Sequence, residues 1–304
     1  MRYSLVNRFR GTLIGAVVGE DLANKNQVNK NIPQSINSDL WRKMINSGAE
    51  TFISQGKFDL DDWTQHCLEV YKKFQDTGND TPSVILAAIP VALFFHDNPA
   101  QLRKNLLNFS NIWQKSEVLK DGTLAFGYAI SQSLTEKINP NTVISQIISF
   151  IGDVNSQLSQ DLNKVDLLLK QDTRLDKSQI GLLKQNKDSQ SIALAFYYFL
   201  SIIEDFPLAI LQANNKSNNI SSISAITGAL SGAYNSIQSI PTYWQLKFSS
   251  VRAKEATLSS YTIMLELADT ILADWSGVYS LSDNQEKLWG DKIAVAAPRV
   301  IRLR

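Results

Sequence analysis

The strongest constraint on the fold is a helical pattern with two stacked glycines in residues 217–241. Apolar residues recur there at intervals of three or four, which is the period of one helix face. These residues are Ile220, Ile223, Ile226, Leu230, Ala233, Ile237 and Ile240. Gly228 and Gly232 are four residues apart, so they lie one above the other on that helix. Because neither has a side chain, another backbone can approach closely, at a cost of about 1 kcal/mol of helix propensity per glycine.

A second glycine stripe lies near the amino terminus. Gly11, Gly15 and Gly19 are also spaced by four, which predicts a helix over 8–22 with a smooth packing face. The stripe is not a phosphate-binding loop, because the Gly-Lys-Ser/Thr ending of such loops is absent. The sequence therefore predicts two helices, far apart along the chain, that can each be approached closely by another backbone.

Polar residues stand at the ends of these two predicted helices. Glu20 and Asp21 are expected to close the first, where carboxylates oppose the helix dipole by roughly 0.3–1 kcal/mol each. Residues placed against local preference are often functional, whereas the simpler interpretation is that both face water. A polar run at 214–219 leads into the second helix, with Ser221 and Ser222 at N-cap positions. Such a loop is a common place for a functional site; the alternative is the ordinary cap of a buried helix.

Composition and charge exclude several classes of protein. Of the 304 residues, 44% are hydrophobic and 19% charged, as expected for a packed soluble protein. The net charge of +1 gives no overall field that would attract nucleic acid. The chain contains one cysteine, Cys67, and two histidines, His66 and His96. These counts exclude an internal disulfide and a cysteine zinc cluster, and they argue against a histidine-rich metal site.

No segment has the layout of a membrane span or an export signal. The longest apolar run, Val84–Phe95, is interrupted by Pro90 and is too short to cross a bilayer. The amino-terminal segment MRYSLVNRFRGTLIG has mixed charge and lacks the order of regions found in signal peptides. We therefore expect a cytoplasmic protein with no membrane span and no nucleic-acid partner.

The periodicity predicts an all-α fold. Sustained alternation of apolar and polar residues is absent, except weakly at 300–304, and helical spacing dominates elsewhere. Pro90 should kink a helix over 81–95 or make it start late, residues 23–36 should form a loop, and 241–244 a turn. No low-complexity linker divides the chain, so we expect one domain, residues 1–304.

Three stretches of the chain resemble one known family. They are RFRGTLIGAVVGEDLA at 8–23, SVILAAIPVAL at 83–93 and AITGALSGAYNSIQSIPTYW at 225–244. They are similar to the opening helix RxxGxLxGxAxGDAxG, an apolar helix, and the segment AAIxGALAGAxxGxxxIPxxW of the ADP-ribosylglycohydrolases. This family includes the dinitrogenase-reductase-activating glycohydrolases and the ADP-ribosylarginine hydrolases. The resemblance implies a single-domain orthogonal helical bundle.

The same resemblance implies the position of a metal site, and there the sequence departs from the family. The family's enzymes hold two Mg²⁺ ions through a Thr-Asp-Asp-Thr stretch and an Asp-Thr-Asp-Thr loop. The aligned residues are Asp39, Leu40, Trp41 and Arg42 for the first and Asn219, Ile220, Ser221 and Ser222 for the second. Mg²⁺ is normally held by carboxylates, and this alignment removes four of them. Without metals, nothing would polarise the ribosyl linkage or lower the pKa of a bound water.

We therefore expect a catalytically inactive relative of these hydrolases, kept as a binding, regulatory or structural component. It should have no catalytic residue, no metal ligand and no cofactor, and its partner should be a protein or a nucleotide-like ligand. The remnant pocket should consist of Glu20, Asp21, Asp39, Leu40, Trp41, Asn219, Ser221 and Ser222. The alternative is an active hydrolase with a rebuilt site that uses Glu20, Asp21 and Asp39, with one metal ion. A third interpretation is a subunit of a larger assembly, with Trp289 as an exposed contact.

Overall fold

The computed structural model confirms the all-α prediction in the parts of the chain that it describes. Those parts are residues 3–29, 39–73, 81–113, 116–171, 186–214, 220–250 and 260–277, and none of them contains a strand. The helices are α1 Leu5–Asn29, α2 Leu40–Gln55, α3 Leu60–Lys73, α4 Thr81–Ala87, α5 Ile89–Phe94, α6 Pro99–Asn111, α7 Glu117–Leu134, α8 Val143–Ile151, α9 Gln157–Lys170, α10 Lys187–Ser201, α11 Phe206–Ala213, α12 Ile220–Asn235, α13 Thr242–Ser250 and α14 Ser260–Ser276. A 3₁₀ turn, Ile237–Ser239, follows α12.

The two glycine stripes pack against each other. They run antiparallel along α1 and α12, and this contact is the most extensive between any two described helices. The facing residues are Gly11 with Gly232, Gly15 with Gly228, and Gly19 with Ser224. A Cβ atom added to either Gly15 or Gly228 would overlap the carbonyl oxygen of the other. The glycines therefore permit a backbone-to-backbone contact at the centre of the molecule.

The other helices cover this central pair. Helices α7, α10 and α11 pack on α12, whereas α14 packs on both α1 and α2. The guanidinium of Arg10 on α1 makes two bonds of 2.7 Å to the carboxylate of Asp269 on α14. Buried aromatic rings belong to the core between the helices, among them Phe9 of α1, Phe126 of α7 and Phe196 of α10. No helix of the described residues has the length and apolarity needed to span a bilayer.

Helix α1 is longer than predicted. It continues to Asn29, through part of the region 23–36 that was expected to be a loop. Glu20 and Asp21 therefore lie inside the helix, and the prediction that they close it is wrong. The physical reason is that no glycine or proline occurs between Gly19 and Pro33, so local preference supplies no stop signal.

Two prolines have the roles of helix starters. The apolar segment 81–95 divides at Ala88, and α5 begins again with Pro90 in its first turn. The helix therefore starts at Thr81 as predicted and is interrupted before Pro90, whose missing N–H costs no hydrogen bond in the first turn of α5. Pro241 precedes α13, and its carbonyl accepts hydrogen bonds from the backbone N–H groups of Trp244 and Gln245. The predicted turn at 241–244 is therefore wrong, since a helix begins there.

Candidate functional site

The candidate site lies where three helices meet around residues 17–24 of α1. The contact between Gly19 and Ser224 brings the first turns of α12 to this part of α1. The hydroxyl of Ser221 donates a hydrogen bond of 2.6 Å to the side-chain oxygen of Asn24. Two side chains from the first turn of α2, Trp41 and Arg42, reach the same segment. The glycine contact thus positions the polar groups of α1 and α12 near one another.

Arg42 of α2 is the central side chain of the site. Its Nη2 donates to Asp21 Oδ1 at 2.7 Å and to the carbonyl oxygen of Val17 at 2.9 Å. Its Nε forms an ion pair with Glu20 Oε2 at a distance of 2.5 Å. The orientation of the two groups does not meet the geometry of a normal hydrogen bond. Arg42 is only 4% exposed and Glu20 only 3%. One buried cation therefore contacts three oxygen atoms of α1.

Trp41 holds the other oxygen of Glu20. Its indole Nε1 donates a hydrogen bond of 2.9 Å to Glu20 Oε1, and its side chain is buried. The guanidinium carbon of Arg42 lies 5.4 Å from the centre of the same ring, within the range of a cation–π contact. Both oxygens of Glu20 are thus engaged by neighbouring residues of α2.

Burial raises the pKa of Glu20 to about 7. Arg42 and the hydrogen bond from Trp41 favour the ionised carboxylate and oppose that effect, whereas the charge of Asp21 adds to it. Burial also disfavours the charge on Arg42, but Glu20 and Asp21 outweigh it and keep the pKa of the guanidinium above its usual value. The guanidinium therefore stays charged, and its charge offsets part of the cost of burying Glu20.

The structure brings together only part of the predicted remnant pocket. Trp41 contacts Glu20 directly, and Arg42 links Glu20 to Asp21. Ser221 contacts Asn24, which stands one helical turn after Glu20 on α1. Leu40 is buried in the hydrophobic core.

The other members of the predicted pocket are placed differently. The carboxylate of Asp39 lies just before α2 and is 3.1 Å from the ammonium of Lys43, with both side chains more than a third exposed to solvent. Ser222 is half-buried on the first turn of α12. Asn219 lies outside the described residues, as does Trp289.

Sequence reasoning left three polar residues out of the pocket. Arg42 is one of them, although it aligns with the last residue of the family's Thr-Asp-Asp-Thr stretch. It precedes the buried residues Ile45 and Ala49 by three and seven positions, so helical spacing indicates that it lies on the buried face of α2. Asn24 stands one turn after Glu20, and no signal marked it beyond that spacing.

The third missed residue is Asn214, which follows α11. It is fully buried, and its Oδ1 accepts a hydrogen bond of 2.7 Å from the Ser224 hydroxyl, whereas its Nδ2 has no hydrogen-bond partner among the described residues. Its contact with Ser224 depends on packing between helices, which the sequence pattern alone does not reveal.

A sequence model of ADP-ribosylglycohydrolase matches residues 33–279. The chain belongs to the ADP-ribosylglycohydrolase family. Among solved structures, 46 chains match its fold. One of them, titled "ADP-ribosylglycohydrolase-related protein complex", has a TM-score of 0.61 and 16% sequence identity, over 88% of this chain and 99% of that one. At this identity the likeness shows the fold alone. No curated protein sequence matches the chain significantly.

The described residues of this family member do not fit a two-magnesium centre. The carboxylates that meet here, Glu20 and Asp21, are both engaged by Arg42, and the side chains of Leu40 and Trp41 offer no oxygen ligand. Within the described ranges, no group of three or more His, Cys, Asp or Glu side chains is arranged to hold a metal ion. A hard dication needs several oxygen ligands with net negative charge, whereas here a fixed positive charge already neutralises the acidic side chains.

Proposed function

We propose that this ADP-ribosylglycohydrolase-family protein does not hydrolyse ADP-ribosyl linkages and acts in the cytoplasm as a binding or regulatory component. The observation that carries the proposal is the buried guanidinium of Arg42, bound to both Glu20 and Asp21. Metal-assisted hydrolysis needs carboxylates that are free to hold cations and a bound water. In this site the carboxylates of Glu20 and Asp21 neutralise an arginine instead.

Polar groups at the junction of α1 and α12 suit recognition better than catalysis. Ser221 and Asn24 place a hydroxyl and a partly exposed amide there. Hydroxyl and amide groups of this kind bind ribose hydroxyls and phosphate oxygens through neutral hydrogen bonds. A nucleotide-like ligand or a protein partner that offers such groups is therefore the expected occupant.

One observation favours the alternative, an active hydrolase with a rebuilt site. The pKa of Glu20, raised by burial to about 7, lies in the range of a general acid or base at neutral pH. Against this, both oxygens of Glu20 are engaged by Trp41 and Arg42, and Glu20 is only 3% exposed. A proton donor must reach the bond that it cleaves, and this carboxyl is enclosed by the protein.

The deciding experiment measures release of ADP-ribose from an ADP-ribosylated arginine protein with Mg²⁺, with a chelator, and in buffer alone. We expect no release above the buffer control. Release that the chelator abolishes, and that a Glu20→Gln variant lacks, would establish the alternative. Calorimetric titration with ADP-ribose then tests the binding role, and an Asn24→Ala variant shows whether binding involves the junction of α1 and α12.

A further inference from the structure

We propose that Arg42 is a built-in substitute for a bound metal cation. Its guanidinium neutralises the acidic segment of α1, fastens α2 to α1, and closes the site to divalent cations. The inference rests on the proposed function, because it assumes that the site has no need of metal. It adds a specific claim: the protein contains a cation-binding site that the Arg42 side chain occupies and blocks.

Three oxygens converge on the guanidinium. They belong to the carboxylates of Glu20 and Asp21 and to the backbone carbonyl of Val17, at 2.5 to 2.9 Å from the nitrogens of Arg42. Two carboxylates and one carbonyl form an all-oxygen set of the kind that hard cations prefer. A guanidinium has the same sign of charge; it donates hydrogen bonds to Val17 and Asp21 and forms an ion pair with Glu20. Because it is tethered to α2, it cannot dissociate as an ion would.

The burial of the group makes its removal informative. Deleting one partner of a buried ion pair is strongly destabilising, because the remaining charge is left without compensation. In an Arg42→Ala variant, the side chains of Glu20 and Asp21 would be adjacent, with Glu20 buried and no cation beside them. Their charge could then be neutralised by protonation or by an ion from solution.

The chain contains a matched control on the next residue of α2. Lys43 also pairs with a carboxylate, that of Asp39 at 3.1 Å, but the two side chains are 43% and 34% exposed. Exposed pairs contribute little to stability. A Lys43→Ala variant removes the same charge from the same helical turn without opening a buried acidic site.

The experiment is thermal unfolding of the full chain and its variants with no added metal, with Mg²⁺ and with Mn²⁺. We expect Arg42→Ala to lower the Tm by roughly 6 °C or more, and Lys43→Ala by less than about 3 °C. A cation at about 100 times its Kd should raise the Tm of Arg42→Ala by roughly 5 °C. The parent protein and Lys43→Ala should not respond to either cation.

A double variant tests the role of the buried charge pair if Arg42→Ala fails to fold. The double variant Glu20→Gln/Arg42→Met carries a neutral pair, so it should fold, recover much of the lost stability and show no cation response. A double variant that is also unfolded would overturn the proposal.

Two other results would overturn the proposal. One is an Arg42→Ala variant as stable as Lys43→Ala, and the other is an Arg42→Ala variant indifferent to both cations. Hydrolase activity of the parent protein would refute the proposed function instead, and it is measured independently of these melting temperatures.

Discussion

Replacing Gly228 by alanine tests whether the backbone contact between α1 and α12 organises the fold. In an isolated helix the change would be favourable by about 1 kcal/mol, because glycine is a poor helix former. Here the new Cβ would overlap the carbonyl group of Gly15 on the facing helix. Overpacking a core costs typically about 1–3 kcal/mol when side chains can rearrange. Main-chain atoms cannot rotate away, so the two helices must separate along their length.

We therefore expect Gly228→Ala to lower the free energy of unfolding by about 2 kcal/mol or more after the gain in helix propensity is included. The measurement is urea unfolding, compared at equal m-values so that the change reflects stability alone. Gly122→Ala is the matched control, since Gly122 is also a buried glycine inside a helix. Its added Cβ would meet the terminal methyl carbons of Ile85 and Ile192 at 2.6 and 2.8 Å, and these side chains can move.

The control should change the free energy of unfolding by less than about 1 kcal/mol, because the helix-propensity gain offsets a small repacking cost. Equal stability of the two variants would refute the argument. It would mean that α1 and α12 can move apart at no cost, and that the glycine stripes do not determine how the bundle is assembled.

The remaining predictions concern other buried groups. Burial raises the pKa of Asp121, whose carboxylate oxygens lack hydrogen bonds of normal geometry, so its ionisation costs stability as the pH rises above the unfolded value of about 3.9. Asp121→Asn should therefore stabilise the protein at pH near 7, with a gain that disappears in acid; a pH-independent gain would contradict this assignment. Asp161 is equally buried but is bonded to Ser189 and Lys164, so unfolding measurements should show Asp161→Asn to be destabilising by about 1–3 kcal/mol. Burial also raises the pKa of the Cys67 thiol, so alkylation should be slow in the native protein and fast after unfolding, and equal rates would contradict the burial.

The sequence predicted the central helices because their signal is local. Glycines spaced by four and apolar residues spaced by three or four lie within single segments, such as the one that contains Gly228 and Gly232. That the α12 stripe faces the stripe of Gly11, Gly15 and Gly19 was not predictable, because spacing defines a smooth face and does not identify what covers it. The family resemblance supplied the fold, and the family match to residues 33–279 confirms that membership.

The candidate site was harder to predict because its central interaction joins two helices. Glu20 was placed at a helix end, where exposure to water was the simple expectation, but the helix continues and α2 buries the carboxylate. Arg42 aligns with the last threonine of the first family motif, and that alignment does not indicate a partner for it. Its pairing with Glu20 and Asp21 depends on how α2 crosses α1, which is a property of packing between segments more than twenty residues apart.

The geometry of α1 explains how the site can change while the bundle persists. Successive residues of a helix are rotated by about 100°, so Glu20 and Asp21 project about 100° and 200° away from Gly19. The glycine face of α1 meets α12, whereas the acidic residues meet α2. A substitution on α2, such as the arginine at position 42, can therefore alter the charge of the site without entering the glycine contact. The glycine contact and the charged residues lie on different faces of one helix, so a change in the charge of the site need not disturb the contact between α1 and α12.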